Sequence, residues 1–200
     1  MELVLALPAG EVILEGPASA DQLRALKIDP GLKSFRPPER QKKALIEIAQ
    51  LPEGRVMIAR RADLLVGYVA FHPPEPFERW GNPRTPGVLE LGAVEVSSEW
   101  RKGGLARRLI QLAFEDGALE DYIVLATEYY WHWDLKGTGL DPWQYRHVME
   151  KVMGSAGLLP RLTDDPDIAC HPANMLVVRV GSRVGPELQE AFERMLFREE

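Results

Sequence analysis

The strongest constraint on how this chain can fold is the stretch Glu90-Leu-Gly-Ala-Val-Glu-Val-Ser-Ser-Glu-Trp-Arg-Lys-Gly-Gly-Leu-Ala-Arg-Arg-Leu109. Val88 to Val96 is an apolar run of strand length, Ser97 to Gly104 is turn-like, and an amphipathic helix begins near Leu105. Such a strand–loop–helix joint leaves several backbone N–H groups at the helix start without intrahelical acceptors. The positive end of the helix dipole adds to them, so the joint suits a phosphate. Gly103 and Gly104 let the backbone approach a ligand that a Cβ would hold off. Arg101, Lys102 and Arg107 would by themselves be an ordinary solvated charge run. Beside the glycines they read as the surround of a pyrophosphate cradle.

The rest of the chain supplies strands and helices around that joint. Glu11 to Glu15 is a short strand closed by Gly16-Pro17, and Ser19-Ala-Asp-Gln22 fits a helix capping box. A second helix starts at Pro37-Pro38-Glu39, repeats Ala44, Leu45, Ile48 and Leu51 at helical spacing, and stops at Pro52-Glu-Gly54. Arg55 to Arg60 and Leu64 to Phe71 are strands joined by a link short enough for a hairpin. Pro73 to Pro86 is a proline-rich surface excursion with Trp80 tucked under it. Tyr122 to Ala126 is a strand, parallel to Val88–Val96 if the intervening helix is a crossover. Asp141-Pro142 caps a further helix, with Tyr145, Val148, Met149 and Val152 on its inner side. Met175 to Val180 is a last core strand, and Gly185-Pro186 opens a terminal helix. The expectation is an α/β (α+β) chain, with a mixed central sheet, a parallel central pair and helices on both faces. No repeat or linker interrupts the 200 residues, so residues 1–200 are expected to form one domain.

Composition excludes several classes. The formal net charge of −6 lacks the basic footprint of a nucleic-acid binder. No apolar run approaches the ~18 residues of a membrane span, and the N-terminus lacks an export signal. A single cysteine, Cys170, cannot form an internal disulfide and suits a reducing cytoplasm. His132, His147, Cys170 and His171 show no zinc spacing, so no metal is expected, and Cys170 reads as a small buried residue.

Ala93-Val94-x-Val96 followed by Trp100-Arg101-Lys-Gly-Gly104-Leu-Ala106 resembles the acyl-CoA signature of the GNAT superfamily of N-acetyltransferases. Longer motifs resemble the acetoin-utilisation acetyltransferase family within it. These are Phe35-Arg-Pro37, Leu51-Pro-Glu-Gly54, Leu91-Gly-Ala-Val-Glu-Val96, Thr127-Glu-Tyr-Tyr-Trp-His-Trp-Asp-Leu-Lys-Gly137 and His171-Pro-Ala-Asn174. The resemblance implies a GNAT fold, its central parallel strands splayed at the acetyl-CoA site, with acetyl-CoA as co-substrate. It implies that the backbone of Val94, Glu95 and Val96 pairs with the pantetheine arm. It also implies that Arg101, Lys102, Gly103, Gly104, Leu105, Ala106 and Arg107 hold the pyrophosphate. The implied acceptor is a lysine of the AMP-forming acetyl-CoA synthetase, in the control of acetoin and acetate use. A small-molecule amine and a non-catalytic acyl-CoA-binding role are the alternatives.

Acetyl transfer needs a neutral amine, and a lysine side chain (ordinary pKa ~10.4) is protonated at pH 7, so a base is required. Glu90 stands where the histone-acetylating branch of the superfamily places its glutamate, and Glu95 competes with it. An odd separation of five puts the two on opposite faces of a regular strand, unless a bulge at Gly92 breaks the parity. Tyr129, Tyr130 and His132 follow the second central strand, beyond its carboxyl end, where ligands gather in open sheets. A tyrosine there is a candidate acid and His132 a candidate base. Aromatic rings in such a cluster also serve plain burial. Many GNAT proteins carry an acidic tyrosine late in the next helix, where this chain has Met149. Asp134, Asp164, Asp165 and Asp167 offer negative charge to a lysine-bearing partner, or form a solvated acidic loop.

Overall fold

A computed structural model describes residues 2–81 and 85–197. In chain order the first elements are β1 (Glu2–Leu7), β2 (Gly10–Glu15), α1 (Ala20–Ala25), β3 (Lys27–Ile28), α2 (Pro38–Ile48), β4 (Arg55–Arg61) and β5 (Leu64–His72). Next come β6 (Val88–Val96), α3 (Leu105–Phe114), β7 (Ile123–Glu128), α4 (Leu135–Thr138) and α5 (Pro142–Gly154). The chain continues with β8 (Leu159–Arg161), α6 (Pro166–Ala169), β9 (Met175–Val180) and α7 (Pro186–Leu196). The fold divides into two compact units, residues 1–72 with 91–116 and residues 73–90 with 117–200; β6 belongs in part to each. No helix among the described residues is long and apolar enough to cross a membrane.

In the first unit β1, β2, β4 and β5 form successive antiparallel ladders, and β3 lies parallel to β5. The expected hairpin is present: Arg61 pairs with Leu64, and Ala62 turns the chain at a φ of 51°. β5 is buried from Leu65 to Phe71 because helices cover both of its faces. Tyr68 and Ala70 join the core built with Leu23 and Leu26, and with Leu45 of α2. On the other face Phe71 meets Phe114 of α3 edge-on, with ring centroids 5.9 Å apart. Ser19 and Gln22 close the capping box of α1 reciprocally, at 3.2 and 2.8 Å. β1 adds an edge strand to the sequence expectation. Its apolar run Leu3–Leu7 does not alternate and so shows no strand period, yet it pairs from Glu2↔Glu15 to Leu7↔Gly10.

In the second unit, Val88, Leu89 and Glu90 of β6 run parallel to Ile123, Val124 and Leu125 of β7. β7 is antiparallel to β9 over its whole length, and β9 to β8. One face of these strands is covered by α7: Phe192 and Leu196 pack with Ile123, Leu125, Leu176 and Val178. Trp80 is tucked into this core, its ring centroid 5.7 Å from that of Phe192. α5 begins with the expected Asp141 cap, which forms a box with Gln144. Its inner side differs from expectation: Met153 is buried, whereas Val148 is exposed. The reason is Arg146, which turns inward to donate to the carbonyls of Pro172 and Asn174 while pairing with Glu150 at 2.8 Å.

Candidate active site

The loop ahead of α3 takes three consecutive positive φ angles: 70° at Lys102, 152° at Gly103 and 76° at Gly104. The φ at Gly103 favours glycine, and a Cβ there would also stand 2.5 Å from the tip of the Leu7 side chain, which would have to shift. Gly104 is the N-cap and has no side chain to satisfy the helix start. The first helical hydrogen bond is donated by Arg108 N to Gly104 O at 2.9 Å. The N–H groups of Leu105, Ala106 and Arg107 therefore precede the ladder and have no intrahelical acceptors. Lys102 and Arg107 are exposed at the rim, and Arg101 Nε donates to Val96 O at 3.0 Å, tying the loop to the end of β6. Backbone donors, a helix dipole and peripheral cations are the features by which a helix start attracts an anion. Gly92 of β6 packs against the His72 side chain, whose Nε2 would lie 2.2 Å from a Cβ there.

The two candidate carboxylates of β6 have different surroundings. Glu95 is buried, and both of its oxygens accept hydrogen bonds at 2.7 Å, one from Ser34 N and one from the Tyr68 hydroxyl. Burial, and then the Glu95 charge, push the Tyr68 phenol far above its ordinary range, so it remains a donor. Val94 is half-buried and Val96 buried beside it on the strand. Glu90 is half-buried and accepts from Thr127 Oγ1 at 3.4 Å.

Glu90 forms part of the wall of a cavity of about 700 Å³ within the second unit. That volume is in the range of small-ligand sites. Tyr129, Asp165 and Asp167 share the wall with it, and Arg79 and Arg194 contribute positive charge. Burial raises the Tyr129 phenol above its ordinary value, and the charges of Asp165, Asp167 and Glu90 add to that, against a hydrogen bond with Thr127. Tyr129 is therefore a neutral donor at physiological pH. Of the five candidate catalytic residues, Glu90 and Tyr129 are brought together at this cavity. Tyr130 stands beside it, its N–H donating to Asn174 Oδ1 at 3.0 Å and its ring 4.1 Å from that of His171. His132 is exposed and meets the Tyr129 ring edge-on at 5.6 Å.

Sequence reasoning left Asp165 and Asp167 between two roles; they line the cavity. It missed Arg79, whose side chain is about nine-tenths buried. Arg79 ion-pairs with Asp164 and Asp165 and donates to Leu196 O at 3.1 Å. Cys170, expected to be buried, is exposed. α6 ends at Ala169 and leaves it at the surface, with its thiol donating to Asp167 O at 3.2 Å.

Glu128 was also missed as a chemical group, because the polar pair Thr127-Glu128 ends the apolar run although the β7–β9 ladder continues through both. Burial pushes its carboxyl up from 4.5 to about 7, against the smaller lowering effect of the Trp133 Nε1–H that it accepts at 2.8 Å. The native protein thus holds a proton there that the unfolded chain releases near pH 4.5. The stability this contributes is complete below pH 4.5 and is lost as pH rises through 7. Denaturant melts of the protein at pH 5 and pH 8 should differ from those of Glu128→Gln, which keeps an acceptor for the indole. The protein should lose on the order of 2 kcal/mol more than Glu128→Gln across that interval; equal pH slopes would exclude a buried, raised Glu128.

The profile of the Acetyltransferase (GNAT) family matches residues 23–135, a span that holds the cradle, Glu90, Glu95 and the Tyr129–Asp134 cluster. This chain belongs to the GNAT family. Its fold is the GNAT fold, a mixed sheet with the parallel β6–β7 pair and flanking helices, and it is an N-acetyltransferase. The donor used by that family is acetyl-CoA. The acetoin utilization protein AcuA of Bacillus licheniformis is 46% identical over 188 residues, which cover 94% of this chain and 90% of that one. An acetoin utilization protein from Exiguobacterium sibiricum has a crystal structure at a TM-score of 0.97 and 46% identity, covering 99% of this chain and 94% of that one. The diaminobutyrate acetyltransferase EctA from Paenibacillus lautus, solved with L-2,4-diaminobutyric acid and coenzyme A, shares the fold alone. It is 15% identical with a TM-score of 0.50, over 87% of this chain and 96% of that one.

Proposed function

We propose that this GNAT acetyltransferase acts as one domain over its whole length and transfers acetyl from acetyl-CoA to a protein lysine. The proposed acceptor is the AMP-forming acetyl-CoA synthetase, in the cytoplasmic control of acetoin and acetate use. The supporting observation is the cavity that sets Glu90 and Tyr129 beside Asp165 and Asp167, a wall whose negative charge suits an ammonium group. The acetoin utilization names of relatives at 46% identity support the metabolic setting.

In this reading the N–H groups of Leu105 to Arg107 and the charges of Arg101, Lys102 and Arg107 hold the pyrophosphate. The backbone of Val94, Glu95 and Val96 lines the pantetheine arm, and an N–H at Val94 faces the thioester carbonyl. Acetyl-CoA supplies an activated acyl carbon and a weakly basic thiolate as leaving group. Glu90 takes a proton from the ammonium, directly or through one water, freeing the nitrogen lone pair for attack. The C–N bond forms as the C–S bond breaks, and the second nitrogen proton passes to the departing sulfur. Tyr129, held neutral, donates a hydrogen bond near that sulfur. Glu90 is preferred to Glu95 as base because both Glu95 oxygens already accept hydrogen bonds. It is preferred to His132 because the imidazole is solvent-exposed.

The test is to incubate the protein with acetyl-CoA and purified acetyl-CoA synthetase and follow intact mass and free thiol. A gain of one acetyl per synthetase, mapped to a lysine, with matching thiol release is expected. Binding of coenzyme A without a mass gain on the synthetase would remove that acceptor. Acetylation of a small amine such as a polyamine in its place would move the chain to a small-molecule role.

A further inference from the structure

Beside the cavity the second unit carries an aromatic ledge whose outer rings, Trp131 and Trp143, the transfer chemistry leaves unused. Trp131 is 50% exposed and Trp143 57% exposed, a large indole area to leave in water. The rings form a connected series: Trp131 meets Tyr130 edge-on at 5.4 Å, Tyr130 lies 4.1 Å from His171, and His171 lies 6.5 Å from Trp143. Its inner end is Tyr129, which stacks on Trp131 at 4.8 Å and also forms part of the cavity wall.

The loop beneath the ledge is tied down by hydrogen bonds. The Asn174 side chain, 4% exposed as a residue, accepts from Tyr130 N at 3.0 Å and donates to Asp167 O at 2.9 Å. One buried amide thus fixes an aromatic residue of the ledge to an acidic residue of the cavity. From α5, Arg146 donates to Asn174 O at 3.0 Å and anchors the same loop. Preordered aromatic side chains lose little entropy on association and are the residue types that dominate protein interfaces.

We infer that this ledge is a docking surface for a protein acceptor, one that presents its lysine next to an apolar patch. The lysine enters the acidic cavity while the patch covers Trp131 and Trp143. Two features select this occupant. The cavity wall carries four carboxylates (Glu78, Glu90, Asp165 and Asp167) against two guanidinium groups, a balance that complements a lysine. Tyr129 makes cavity and ledge continuous, which puts the rings within reach of a chain whose lysine is inserted. A free small amine would fill the cavity and leave both indoles in water. The inference rests on the lysine-acetyltransferase reading above and adds how the protein substrate is recognised.

Trp143→Ala tests it, because Trp143 is a surface residue outside the cavity wall. The readouts are kcat and KM for three substrates: acetyl-CoA synthetase, a short lysine-containing peptide, and acetyl-CoA itself. The expected result is a fall of about 10- to 30-fold in kcat/KM for the synthetase, carried by KM, with partial recovery in Trp143→Phe. Rates with the peptide and the KM for acetyl-CoA should be unchanged. An unchanged rate with the synthetase would overturn the docking role. A raised KM for acetyl-CoA, with peptide and protein affected equally, would overturn it too and assign the ledge to the nucleotide. If the unaltered enzyme acetylates the peptide but not the synthetase, that acceptor falls. The ledge is then upheld only if another folded lysine-bearing protein shows the Trp143→Ala loss. Transfer to neither acceptor would remove the reading and the inference together.

Discussion

Glu90→Gln is expected to slow acetyl transfer by about 100-fold or more, because an amide cannot take the ammonium proton. The substitution keeps the side-chain shape and an acceptor for Thr127 Oγ1, so the strand should be undisturbed. The loss should fall on kcat, with the KM for acetyl-CoA little changed, since the cradle residues lie elsewhere in the chain. A pH–rate profile sharpens the result. The protein should show an acidic limb for the base, and Glu90→Gln should lose that limb, with its residual rate climbing toward the amine's own pKa. An unchanged rate would pass the role to Glu95 or His132.

Glu95→Ala should produce a different failure, one of folding. Removing the carboxylate leaves the Tyr68 hydroxyl and Ser34 N–H without their acceptors, the former in a fully buried residue. Each orphaned donor costs about 1–3 kcal/mol, so a loss near 3 kcal/mol is expected. For a chain of this size that lowers the melting temperature by roughly 10 °C. Glu95→Gln retains one acceptor oxygen and should lie between the two. A melting temperature within about 2 °C of the parent for Glu95→Ala would show that the two bonds contribute little.

These two carboxylates show what could be read before the fold was known. Their different surroundings were not legible: the parity of an odd separation depends on whether the strand bulges at Gly92, and which carboxylate meets a cavity depends on residues far away in the chain. The strand–loop–helix joint was legible because it is contiguous: a strand, two glycines and a helix start in one stretch, each with a local conformational reason. The hairpin of β4 and β5, the capping box of α1, the Asp141 cap of α5 and the apolar stripe of α7 were legible for the same reason. The cavity was not, because its wall draws on Arg79, Glu90, Tyr129, Asp165 and Arg194, brought together only by long-range pairing. Asp165 and Asp167 looked like an ordinary acidic loop until that pairing placed them. β1 escaped notice because an unbroken apolar run has no period, and Glu128 because a ladder continues on backbone bonds after side-chain polarity has changed.

The buried guanidinium of Arg79 constrains how such an enzyme can change over time. It projects from the proline-rich excursion and is bonded at once to Asp164 and Asp165 and to the end of α7 at Leu196 O. Three stretches of wall therefore share one fastening, and none of them can drift alone without breaking it. Lineages that retain this arginine should vary at unfastened side chains such as Phe77, which is 86% exposed while lining the same cavity. New acceptor preferences would then arise by repainting the wall while its frame stays fixed.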